Sequence, residues 1–167
     1  MDRPQKVHDY LLARLEDPFN KFCIDCKEKQ STHVLVMYGA FMCASCANIH
    51  RQMFGFFETY PKDVMTDQFD DIQLAAISDQ IGGNKQIYDL FVEYNILGLD
   101  SYSRYTHKCF VWYKKRLACS ITGIQFDEEK PYHSYGEAVD KSAVQAKQVA
   151  DGIFEDVKKI DTAQVKQ

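Results

Sequence analysis

Cys23-Ile24-Asp25-Cys26 and Cys43-Ala44-Ser45-Cys46 are two Cys-x-x-Cys knuckles with sixteen residues between them. Each knuckle sets two thiolates on one side of a tight turn, and the intervening sequence predicts a hairpin that brings the pairs together. Four thiolates in a tetrahedron suit Zn²⁺, which has no ligand-field preference of its own. A four-cysteine set leaves no open position for water. The expected ion is therefore one structural zinc on Cys23, Cys26, Cys43 and Cys46, which folds the hairpin and takes no part in chemistry. A thioredoxin-like redox motif competes for any Cys-x-x-Cys, but it needs one pair at a helix start after a strand, and two matched pairs fit it poorly. Cys109 and Cys119 have no partner at knuckle spacing and read as buried thiols in helical sequence. His33 and His50 lie near the knuckles, yet four thiolates already complete the tetrahedron.

Between the knuckles, residues 33–37 and Phe41-Met42 read as two short strands around Tyr38-Gly39-Ala40, a turn in which glycine permits positive φ. Ahead of them, Val7, Leu11 and Leu15, with Leu12 beside them, keep helical spacing until Asp17-Pro18 stops the helix. Behind them, residues 46–55 predict a short helix leaving the metal site. From Asp70, the series Ile72, Leu74, Ala75, Ile77 and Ile81 is helical and ends at Gly82-Gly83. Asn84 is placed as the N-cap of the next helix. Tyr105, Cys109, Trp112, Tyr113 and Leu117 predict one more helix, whose basic face carries Arg104, Lys108, Lys114, Lys115 and Arg116. Such a face most simply keeps a surface helix solvated.

Past Gly123 the composition turns acidic and loop-like at Asp127-Glu128-Glu129-Lys130-Pro131. A last helix is expected after it, with Ser134 and Glu137 in capping-box register and a narrow apolar stripe of Val139, Ala143, Ala146, Val149, Ile153, Val157 and Ile160. These elements predict an α+β fold: a zinc-stapled hairpin or small three-stranded antiparallel sheet surrounded by about five helices, plus a C-terminal helix. The expected division is residues 1–123 as the zinc-finger domain and 124–167 as an acidic linker with an amphipathic helix.

Length and composition agree with one domain and a modest extension: 167 residues, 46% apolar and 13% aromatic, enough bulky side chain to bury a core. The formal charge of −4 does not attract a polyphosphate backbone, which argues against a nucleic-acid partner. No apolar run reaches the roughly 18 residues of a spanning helix. The charged start, Met1-Asp2-Arg3-Pro4-Gln5-Lys6, is unlike a secretory signal, so the expected compartment is the cytoplasm.

A zinc hairpin alone serves nucleic-acid readers, ubiquitin-transfer modules and protein-binding modules alike, so the residues beyond it decide more. Arg51 follows the second knuckle after four residues. The pattern Cys-x2-Cys-x16-Cys-x2-Cys-x4-Arg, met by Cys23, Cys26, Cys43, Cys46 and Arg51, resembles the signature of the Arf GTPase-activating protein zinc-finger domain. Leu15-Glu16-Asp17-Pro18-Phe19-Asn20-Lys21-Phe22, Tyr38-Gly39-Ala40-Phe41-Met42, Ile49-His50-Arg51, Gly83-Asn84 and Arg104-Tyr105 with Tyr113 and Leu117 are similar to the same family. The likeness covers about residues 7 to 121.

The resemblance implies catalysis by a lent arginine. The partner would be an Arf-type small GTPase carrying GTP and Mg²⁺, and a guanidinium inserted beside the transferring phosphoryl group stabilises the charge that builds up there. Arg51 is the implied finger, with His33, Ile49, His50, Asp67 and Asn84 as candidate residues of the GTPase-facing surface. The competing reading of Arg51 is a helix-surface arginine that partners the negative zinc–thiolate cluster. The chain also departs from the family pattern: His33 stands in place of a tryptophan, Met65-Thr66-Asp67-Gln68-Phe69 in place of Leu-Asp-x-Trp, and Gln52-Met53-Phe54 in place of small and Leu residues. These departures support a second hypothesis, a catalytically silent scaffold that docks into a larger assembly through its C-terminal helix.

Overall fold

The computed structural model describes residues 3–132. The helix expected after the acidic linker, with its stripe from Val139 onward, lies outside the described residues.

α1 (Arg3–Glu16) stops where expected, and the Asp17 carboxylate accepts the Phe19 N–H at 2.8 Å just ahead of the chain's change of direction. Its apolar stripe buries Leu11 fully, with Val7, Tyr10 and Leu15 packed beside it. β1 (His33–Leu35) and β2 (Ala40–Met42) form the hairpin. The sheet has three strands, and the one that the sequence pattern does not place, β3 (Pro61–Asp63), pairs antiparallel with β1 on its other side, so the order is β2-β1-β3. Val34 faces Phe41 in one ladder and Lys62 in the other. Pro61 lacks an N–H and therefore suits an edge strand.

Both faces of this small sheet are covered. Leu35, Ala40 and Met42 point into one core with Tyr38, Phe91, Tyr105, Phe110 and Tyr113. Val34, Val36 and Phe41 point into a second core with Leu11, Val64, Phe69 and Ile77. The alternation follows from the two-residue period of a strand, and burial on both faces explains why the hairpin reads as one apolar run.

α2 (Ala44–Phe54) leaves the second knuckle, followed by the single turn α3 (Phe56–Thr59). α4 spans Asp71–Ala76, α5 Asn84–Glu93, α6 Ser101–Thr106 and α7 Lys108–Thr122. The described residues thus hold seven helices, several of them short, in place of about five. α4 opens with a reciprocal capping box between Asp70 and Gln73 but closes at Ala76, well before the glycine pair. The reason is steric. A Cβ on Gly39 would stand 2.4 Å from the Ala76 carbonyl oxygen, and one on Gly82 only 1.9 Å from it. The hairpin turn and the Gly82 backbone cross the end of α4 so closely that only glycine fits.

The single helix expected around Tyr105 to Leu117 is two. His107 adopts extended backbone (φ −62°, ψ 144°), and its ring accepts the Cys109 N–H, making it the N-cap of α7. Gly83, at φ +96°, caps α5, so Asn84 is the first helical residue and not the cap. Residues 124–131, beyond the boundary expected at Gly123, belong to the same compact unit as the finger. The Trp112 indole donates to the Glu128 carbonyl at 3.0 Å, and Lys115 pairs with the Glu128 carboxylate at 2.9 Å.

Candidate metal centre and arginine surface

The first knuckle is a turn closed by Cys23 N–H donating to the Lys29 carbonyl and Lys27 N–H donating to the Cys23 carbonyl, both at 2.9 Å, with Lys27 at φ +57°. The second is the start of α2: Cys43 is its N-cap, and its sulfur accepts the Cys46 N–H. The hairpin between them brings the four sulfurs within 4.8 Å of one another. Cys26 and Cys43 stand 3.9 Å apart, close to the ~3.8 Å edge of a tetrahedron with Zn–S bonds of ~2.3 Å. Among the described residues no other group of His, Cys, Asp or Glu converges in this way. The donor set fits a soft divalent ion. Burial pushes the Cys23 thiol up to about 11 and, with the neighbouring sulfurs, raises Cys46 further, a penalty that a bound cation would reverse. Cys109 is buried within α7, as expected.

Asp25, inside the first knuckle, is the centre of a buried polar network. Its carboxylate accepts from the Tyr105 hydroxyl at 2.7 Å, from the Ser101 hydroxyl at 3.2 Å and from the Arg104 guanidinium at 3.4 Å. His50 Nε2 lies 2.5 Å from Oδ2, and because an ionised carboxylate only accepts, the proton is assigned to Nε2. Burial pushes the Asp25 carboxyl up, but the bond and charge of His50, the Tyr105 hydroxyl and Arg104 outweigh it and hold the group below the ordinary carboxylate range. Arg104 is therefore not part of an exposed basic face: it is buried against Asp25.

Two candidates for a partner-facing surface are corrected by burial. His50 is 0% exposed, enclosed by Tyr38, Phe54 and Tyr105. Asn84 is 1% exposed. Its carboxamide accepts the Phe41 N–H at 2.7 Å and donates to the carbonyls of Phe19, Phe22 and Phe41 at 3.0 to 3.3 Å. Neither side chain offers anything to another molecule. Both knit the fold.

The other candidates reach the surface. Arg51 sits in the last turn of α2, exposed, and among the described residues its guanidinium has no hydrogen-bond or ion-pair partner. A cation at a helix C-terminus is favoured by the backbone dipole. Ile49 is 49% exposed on the same helix. α2 packs against β1 and β3. His33, on β1, shares a contact of 2.9 Å with the Thr32 hydroxyl and lies 3.9 Å from the Asp63 carboxylate of β3. Asp67 is exposed just past β3 and accepts the Asp63 N–H at 2.7 Å.

The cysteine-stapled hairpin, the helix that leaves it and the arginine at that helix's end meet a known pattern. The sequence matches the family model described as ArfGap, putative GTPase activating protein for Arf, over residues 9–114. The chain belongs to the ArfGap family. It is 30% identical over 112 residues to the ADP-ribosylation factor GTPase-activating protein GCS1 of Saccharomyces cerevisiae, covering 66% of this chain and 31% of that protein. It is 24% identical over 105 residues to ADP-ribosylation factor GTPase-activating protein 3 of Mus musculus, covering 63% of this chain and 20% of that protein. The ArfGap-like part therefore spans a third or less of the length of these curated relatives. In three dimensions the chain is similar to a putative GTPase activating protein for ADP ribosylation factor from Cryptosporidium parvum, with a TM-score of 0.60 and 25% identity over 72% of this chain and 99% of that one. No helix among the described residues is long and apolar enough to cross a membrane.

Sequence reasoning missed Asp25, Ser101, Arg104 and Tyr105 as one cluster. No local signal brings them together, since the contacts span from 25 to 80 residues of sequence.

Proposed function

We propose that this ArfGap chain stimulates GTP hydrolysis by an Arf-type small GTPase in its GTP–Mg²⁺ form, with Arg51 as the arginine finger and one structural zinc on Cys23, Cys26, Cys43 and Cys46. The observation that carries the reading is the exposed guanidinium of Arg51, without a hydrogen-bond or ion-pair partner among the described residues, at the end of a helix rooted in the cysteine cluster. Zinc, when bound, supplies rigidity: it joins the two knuckles and fixes the start of α2.

The chemistry asked of this chain is electrostatic. Arg51 presents five donors in a planar fork, which suits the oxygens of a transferring phosphoryl group. With no ion pair to an acid among the described residues, it enters the partner's site without first breaking one there. Ile49 beside it, and His33 and Asp67 on and beyond the adjoining strands, form the surface that orients the GTPase. An arginine finger is worth roughly 10³ to 10⁵ in rate.

Single-turnover GTP hydrolysis by a panel of Arf-type GTPases tests this, with the parent chain set against Arg51→Ala and Arg51→Lys. Strong stimulation by the parent, lost in both variants because an ammonium cannot reproduce the fork, is the expected result. No stimulation across the panel favours the scaffold reading, which the replacement of tryptophan by His33 supports.

A further inference from the structure

Among the described residues Arg51 makes no hydrogen bond or ion pair that would hold it, so its place in space follows the rotation and tilt of α2. The metal cluster fixes only the start of that helix. Arg51 lies five residues beyond Cys46, about 7.5 Å along the axis at the ordinary helical rise, and small errors at the root grow along such an arm. Past the first turn of α2, the only side-chain hydrogen bond the helix makes to the rest of the described fold is His50 to Asp25, at 2.5 Å. His50 immediately precedes Arg51. Asp25 is itself clamped from the far side by Ser101, Arg104 and Tyr105 of α6. A cavity of about 190 Å³, lined by Asp25, Cys26, Cys46, Ile49 and Ser101, lies beside the tether next to the cysteine cluster, and Phe54 at the end of α2 stacks on Tyr102 of α6.

We infer that the buried Asp25–His50 pair is the positioning device of the arginine finger, locking the far end of α2 to α6 so that Arg51 is presented in one orientation. Both are positioning residues, since neither touches the partner. The inference rests on the arginine-finger reading above. The arrangement divides the labour: zinc sets where α2 begins, the pair sets where it points, and the exposed face is left free for the GTPase.

The test uses the full chain and an Arf-type GTPase that the parent stimulates, with the saturating rate and the half-saturating concentration of activator measured separately. Metal content and thermal midpoint are recorded for each variant. His50→Leu, with zinc fully loaded, is expected to lower the saturating rate about 100-fold, the penalty of about 1 Å of misplacement, with the half-saturating concentration changed less than about twofold. His50→Gln, whose amide can donate from the position of Nε2, is expected to stay within about fivefold of the parent. Asp25→Asn, of the same size without the charge, should lose about 10-fold, and together with His50→Gln it decides the matter if His50→Leu fails to load metal. An unchanged saturating rate in a metal-loaded His50→Leu or Asp25→Asn overturns the inference, as does a Gln variant no better than Leu. Arg51→Ala run alongside separates the two readings. Loss there with none in the pair variants removes the positioning role alone, whereas no loss there, or no stimulation by the parent, removes the finger reading and this inference with it.

Discussion

Two buried polar hubs hold this domain together, and they are built from different materials. Asn84 is neutral and is satisfied by backbone: one N–H and three carbonyls from residues 19, 22 and 41 surround its carboxamide. Asp25 is charged and is satisfied by side chains, from His50, Ser101, Arg104 and Tyr105. A neutral amide meeting fixed backbone groups gains hydrogen bonds at little desolvation penalty, so it suits a permanent joint between chain segments. A buried carboxylate is worth keeping only while all its partners stay in place, and it therefore specifies geometry more than it adds stability. The neutral hub stands where the segment after α1, β2 and α5 meet. The charged hub stands beneath the exposed arginine.

The largest expected effect is on the charged hub's support. Chelating the metal, or Cys43→Ser, should abolish amide protection across residues 23–54 in hydrogen exchange, because binding free energy at a structural site is folding free energy. A domain that kept its protection without metal would remove the structural role proposed for zinc.

Asp25→Ala comes next. It leaves the buried Arg104 guanidinium without its counter-charge and the His50 ring without its hydrogen-bond partner, and should lower the urea unfolding free energy of the metal-loaded chain by about 3 to 5 kcal/mol. Asn84→Ala should cost about 2 to 3 kcal/mol, from several backbone groups left unsatisfied, while the saturating rate of the folded fraction is retained. The two hubs share no hydrogen-bond partner, so their stability losses should add to within about 0.5 kcal/mol in the double variant. A larger coupling energy would mean that the hubs act as one network. The smallest effect on stability is expected from Arg51→Ala: the denaturation midpoint should stay in place even as stimulation of the GTPase disappears.

The apolar core shows how far local pattern reaches. Helix α1 and its stop at Asp17-Pro18 follow from spacing and from the restriction proline places on its predecessor. The hairpin follows from two apolar runs about a glycine turn. The third strand is hidden because Pro61-Lys62-Asp63 carries no strand propensity, and only pairing with β1 makes it a strand. The break at His107 is hidden because helical periodicity runs through it, and only the backbone bond to its ring reveals the cap. His50 and Asn84 are surface candidates only through the family resemblance, and both are buried, with hydrogen-bond partners 25 to 65 residues away.

By itself the sequence determined the four-thiol set, the arginine after the second knuckle and the family to which the chain belongs, because each depends on spacing along one stretch of chain. Tertiary structure alone decided that Arg51 is exposed while its neighbour His50 is buried, that Arg104 is internal, and that Asp25 joins α2 to α6. These are contacts between distant segments, and no local period encodes which of them will meet.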